Sequence, residues 1–94
     1  MEKTKIYSAE EVAWNKMKLV YLIELEYYIM WSSIDERFET TDKIYQKLEE
    51  VYESEIGEQF GYRQEFYQSE VALNIAEDVL FGEDIIYQRK REAL

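Results

Sequence analysis

Histidine, cysteine and proline do not occur in this chain of 94 residues, and glycine occurs only at positions 57, 61 and 82. Without histidine, the commonest general base and metal ligand is missing, and no serine has a partner for a Ser-His-Asp triad. Without cysteine there are no disulfides, no thiol nucleophile and no thiolate metal site. Three scattered glycines cannot build a G-x-G-x-x-G turn or a P-loop. These absences lead to the expectation that the protein is not an enzyme and carries no cofactor and no resident metal. With no proline and no glycine before position 57, Met1–Ile56 has no strong breaker, which favours long helices.

Long uncharged runs are also missing. The most apolar stretch, Leu19–Trp31, contains Glu24 and Glu26, whereas a membrane span needs about 18 or more uncharged apolar residues. No membrane association is expected. Met1 opens a polar, lysine-bearing start rather than a leader peptide, so the expected compartment is the cytoplasm.

The composition is 47% hydrophobic and 16% aromatic, with nine tyrosines, which is too apolar for a disordered acidic tail. One domain spanning residues 1–94 is expected at this length. The net charge is −10, and it is unevenly spread. Residues 19–84 carry 17 acids against four bases, a balance of −13, while residues 1–18 stand at +1 and residues 85–94 at +2. An excess of this size repels nucleic acid and anionic membranes and steers the chain toward basic partners.

The fold expected is all-α, a small antiparallel bundle of three main helices and a short C-terminal helix. Ser8 and Glu11 fit a capping box, with Tyr7 and Val12 as a staple around it. From there a helix over Ala9–Phe38 carries Val12, Leu19, Ile23, Tyr27, Met30, Ile34 and Phe38 as a core stripe, with a bend at Ser32–Ser33. A strand over Tyr21–Ile29 is the rival reading, since that stretch is rich in β-favouring types. Thr41 or Asp42 is expected to cap a second helix over Lys43–Ile56, with Ile44, Leu48, Val51 and Tyr52 inward and Gly57 as its stop. Residues 57–61 then form a loop, or part of a bent helix. A third helix over Tyr62–Leu80 turns Phe66, Leu73, Ala76, Val79 and Leu80 inward and stops at Gly82. Glu83 and Asp84 open the last helix, and Arg89, Lys90 and Arg91 close it, an order that suits the helix dipole.

The long helix has a second apolar stripe, Trp14, Tyr21, Leu25 and Tyr28, although a surface helix needs only one. This stripe is the candidate for self-association, as a homodimer. Glu24 and Glu26 lie on different faces, so at least one is expected to point to water, and a buried one would need a tyrosine hydroxyl, Arg37 or Arg63 as partner. The other candidate surface is acidic: Glu49, Glu50 and Glu53 on one side of the second helix, Glu55 and Glu58 nearby, and Tyr45 and Tyr52 beside them. Aromatic anchors with steering charges suit a basic protein surface. Carboxylates three or four residues apart on a helix have Cβ atoms about 5–6 Å apart, near the spacing of phosphates on a strand.

Two functions are expected from this pattern. The first is a non-enzymatic interaction protein that occupies a basic surface of a nucleic-acid-binding protein. That character is shared by phage-encoded inhibitors of host defence, although no motif ties the chain to a particular family. The second is a structural or regulatory helical homo-oligomer whose acidity serves solubility. A third reading, a carboxylate site for a hard cation such as Mg²⁺, lacks any calcium-loop pattern.

Overall fold

The computed structural model describes residues 8–90, and within them the chain is mostly helical. Helix α1 spans Ala9–Glu26 and strand β1 spans Tyr27–Met30. Helix α2 spans Ile34–Tyr52, followed by a 3-10 turn at Gly57–Gln59. Helices α3 (Arg63–Tyr67) and α4 (Glu70–Gly82) lead to strand β2 (Ile86–Arg89). The staple partner Tyr7 and the basic residue Arg91 lie outside the described residues.

The capping chemistry at Ser8 forms as expected: its side chain accepts from the Glu11 N–H at 3.1 Å. Helix α1 does not continue to Phe38, however. It stops at Glu26 because Tyr27 is extended (φ −131°, ψ 148°) and the chain pairs instead with β2. The ladder is antiparallel, with Tyr27 opposite Arg89 and Met30 opposite Ile86. The expected terminal helix is instead strand β2, so the mostly helical fold also holds one two-stranded antiparallel sheet. Aromatic and branched residues on both segments suit a strand once each finds a partner. The Lys90 N–H closes the ladder on the Glu26 carbonyl at 2.9 Å.

Ser33 caps rather than bends. Its hydroxyl accepts from the Glu36 N–H at 3.0 Å, and the Glu36 carboxylate reaches back to the Ser32 N–H at 3.3 Å. This double clamp sets the cap of α2 at Ser33, ahead of the expected Thr41 or Asp42 by more than two helical turns. Thr41 and Asp42 lie mid-helix, where the Thr41 hydroxyl donates to the Arg37 carbonyl at 2.7 Å and competes with no turn. The expected third helix is also split. Ser69 caps α4 by accepting from the Ala72 N–H at 3.3 Å, and its hydroxyl donates to the Phe66 carbonyl at 2.6 Å.

The core gathers Leu19, Ile23 and Tyr27 against Ile44 and Leu48 of α2, Phe66 and Tyr67 of α3, and Ala76 and Leu80 of α4. Val51, Tyr52 and Val79 pack at its edge. Met30 is 68% exposed, because the switch from helix to strand turns it outward, and Ile34 and Phe38 are exposed as well. Gly57 does not stop α2 through a left-handed cap, since no glycine has positive φ. Its role is close approach: a Cβ there would fall 1.7 Å from the Tyr52 carbonyl oxygen. Gly82 has nothing within 4 Å of the equivalent position.

Urea denaturation of single variants tests this arrangement. Leu19→Ala and Ile23→Ala are each expected to cost about 2–5 kcal/mol, and Met30→Ala less than about 0.5 kcal/mol. Gly57→Ala should cost about 1–3 kcal/mol through overpacking. Gly82→Ala should be neutral or stabilise by up to about 1 kcal/mol. Equal effects at the two glycines would contradict the packing at Gly57.

Candidate interaction surfaces

The acidic face expected on α2 divides in two. Glu49 is not solvated. One carboxylate oxygen, Oε2, accepts from Arg63 Nε at 3.0 Å and from the Tyr67 hydroxyl at 2.5 Å. Arg63 also lies over the Tyr52 ring, 4.6 Å from its centroid, and the Tyr67 ring stacks on Tyr45 at 6.1 Å. Tyr45 is 8% exposed, and Tyr52 packs beside Phe66. Glu49, Tyr45 and Tyr52 therefore join α2 to α3 and are taken up by that packing. Arg63, fourteen residues downstream, is the base that a reading of α2 alone did not supply.

Burial sets the electrostatics of this cluster. Loss of hydration pushes Glu49 above the ordinary carboxylate range, with Glu53 and Glu11 pushing the same way and the Tyr67 hydroxyl opposing them. Burial pushes Tyr67 well above the usual phenol value, and the bond to Glu49 adds to it. Desolvation draws Arg63 down. The chemistry is that of a structural clamp: one oxygen held by two donors among packed rings.

Glu50, Glu53, Glu55 and Glu58 are exposed. Glu50, Glu53 and Glu55 enter no ion pair among the described residues, where Lys16 pairs with Asp42, Arg37 with Glu24, Lys43 with Glu83, Arg63 with Glu49 and Arg89 with Glu70. Ile56 and Tyr62, in the same stretch, are also exposed. They are the apolar residues left beside the acids once Tyr45 and Tyr52 turn inward. Among the described residues, no group of three or more acidic side chains could hold a metal ion, and no helix is long and apolar enough to cross a membrane.

Trp14, Tyr21, Leu25 and Tyr28 are all at least half exposed. Met17 joins them on α1, at the three- and four-residue spacing that links Trp14 to Tyr21. Met17 is absent from the expected stripe, and its spacing from Trp14 and Tyr21 is the signal that places it there. Glu24 meets Arg37 at 2.7 Å on the surface, so the apolar stretch buries no lone carboxylate there.

Comparison with protein-family models, with curated proteins and with solved structures finds no match for this chain.

The Glu49 clamp predicts a pH dependence. Folding raises the affinity of this carboxyl for its proton, so the folded state binds more protons than the unfolded chain between the two pKa values. Stability from this group is therefore present below the ordinary carboxylate pKa and is lost as pH rises through the folded value. Thermal melts of wild type and Glu49→Gln, compared from neutral to mildly acidic pH, should show wild type gaining on the variant as pH falls. A difference that shrinks on acidification would reverse the assignment.

Proposed function

We propose that this chain is a non-enzymatic interaction protein that occupies a basic surface of another protein in the cytoplasm. The partner class is a nucleic-acid-binding protein, whose Lys- and Arg-lined groove would receive carboxylates in place of phosphates. This is an inhibitor of the kind that phages and mobile elements encode. One observation carries the reading: Glu50, Glu53 and Glu55 are exposed and unmatched by bases among the described residues, beside the exposed Ile56 and Tyr62. Five bases of the described chain are already engaged by other acids, so the surplus charge is left for a partner. Charges of this kind chiefly accelerate association and set specificity, while apolar neighbours anchor.

The test is capture of a partner on immobilised protein, identification by mass spectrometry, and binding measured with the purified pair. Replacing Glu50, Glu53 and Glu55 by lysine should keep the helical spectrum and weaken binding at least about tenfold, mainly through slower association at low salt. Free nucleic acid should compete, and wild-type affinity should fall as salt rises. If the triple variant binds as well as wild type, the acidic surface serves solubility alone.

A further inference from the structure

Helix α1 has two apolar sides, and the acidic surface uses neither. Leu19 and Ile23 are buried in the core. Trp14, Met17, Tyr21 and Leu25 project from the roughly opposite side of the same helix and are 50–69% exposed. Met17 and Tyr21 form a ridge with a groove on each side. One groove, about 700 Å³, runs between α1 and α2 past Val20, Arg37 and Phe38. The other, about 490 Å³, runs past Trp14, Lys18, Leu22 and Leu25. Both are lined by Met17 and Tyr21.

Monomeric proteins seldom leave a contiguous apolar patch above a few hundred Å². At their exposures, the rings of Trp14, Tyr21 and Phe38 alone offer on the order of 300–400 Å². Met17, Leu25 and the stems of Lys18 and Arg37 extend this toward the roughly 800 Å² per partner of a stable interface.

We propose that this face pairs with the same face of a second copy, with the two α1 helices antiparallel about a two-fold axis beside Tyr21. A ridge between two grooves is self-complementary, since the ridge of each copy can seat in a groove of the other. The charges on α1 select the direction. Lys18 precedes Tyr21 by three residues and Glu24 follows it by three, while the acids Glu10 and Glu11 lie two turns farther back, in the first turn. Antiparallel packing sets Lys18 of each copy toward the Glu24 end of the other. Parallel packing sets like against like. Lys18 makes no ion pair among the described residues and lies over the Trp14 ring at 5.0 Å, already on this face. A base on one side of Tyr21 and an acid on the other suit a second copy of this face better than a partner of one charge. The pairing is independent of the acidic surface, which belongs to the end of α2 and the segment after it.

Sedimentation from low to high micromolar concentration should show a monomer–dimer equilibrium for the full chain. Tyr21→Glu should shift it to monomer with an unchanged helical spectrum. Lys18→Glu should weaken dimerisation several-fold, and adding Glu24→Lys should restore it. Because the chain has no cysteine, single cysteines report direction. Tyr21→Cys should form an intermolecular disulfide on mild oxidation, and Trp14→Cys should not. A wild type that stays monomeric throughout, a Tyr21→Glu dimer of undiminished strength, or cross-linking at both cysteines would overturn the proposal.

Discussion

The pairing of β1 with β2 is the contact on which the rest of the molecule depends. It ties the end of the first helix to the last described segment, and Tyr27 is its fixed point. The Tyr27 hydroxyl donates to Glu77 of α4 at 2.8 Å, and its ring meets Tyr87 of β2 edge-on at 5.6 Å. Tyr87 in turn donates to the Glu77 carbonyl at 3.3 Å. Burial and the Glu77 carboxylate together push the Tyr27 phenol far above its usual value, so it remains a donor. A two-stranded ladder is marginal by itself. Here helices α1 and α4 supply the packing, and the ladder fixes where both helices end.

This contact also explains what the sequence did and did not disclose. Caps are local, and Ser8 was legible because its partner Glu11 is three residues away. The Ser33–Glu36 pair is equally local, but an apolar stripe continuing to Phe38 at helical spacing masks it. The stripe was a coincidence of two elements: Tyr27 is buried from a strand, while Ile34 and Phe38 belong to a different helix and face outward. Four-residue strands leave little periodicity, and the rival strand reading over Tyr21–Ile29 overlapped the right place. The end of the chain held no such signal. Acid before base over residues 83–91 suits a helix, and only pairing with Tyr27–Met30, some sixty residues away, makes it a strand. The buried positions Leu19, Ile23, Ile44, Leu48, Phe66, Leu73, Ala76 and Leu80 survived these boundary errors, because burial on each helix follows spacing within that helix alone.

The candidate surfaces were legible to a similar degree. Exposure of Glu50, Glu53, Glu55 and Glu58, and of Trp14, Tyr21, Leu25 and Tyr28, agrees with patterns visible on single elements. The fate of Glu49 was not visible, because it depends on Arg63 and Tyr67 from another helix. Long-range partners withdraw a residue from the surface, and nothing local marks which member of an acidic run will be chosen. The two basic residues over exposed rings, Lys18 on Trp14 and Lys90 on Tyr28, likewise lie where only geometry places them.

Under the two proposals, the acidic and apolar surfaces would answer salt with opposite sign. A net charge of −10 opposes bringing two copies together at long range, whereas it attracts a basic partner. Screening over a Debye length of about 8 Å at physiological ionic strength removes both effects. Self-pairing through Trp14, Met17, Tyr21 and Leu25 rests on burial of apolar area, which salt leaves intact or strengthens, and the relief of repulsion outweighs the loss of one Lys18–Glu24 attraction per half-interface, because exposed pairs contribute little. Attachment through Glu50, Glu53 and Glu55 rests on the charges themselves. If both proposals hold, the same molecule would be biased toward its own copy at high ionic strength and toward a basic protein at low ionic strength, and the two surfaces are separable because they occupy different elements of the fold.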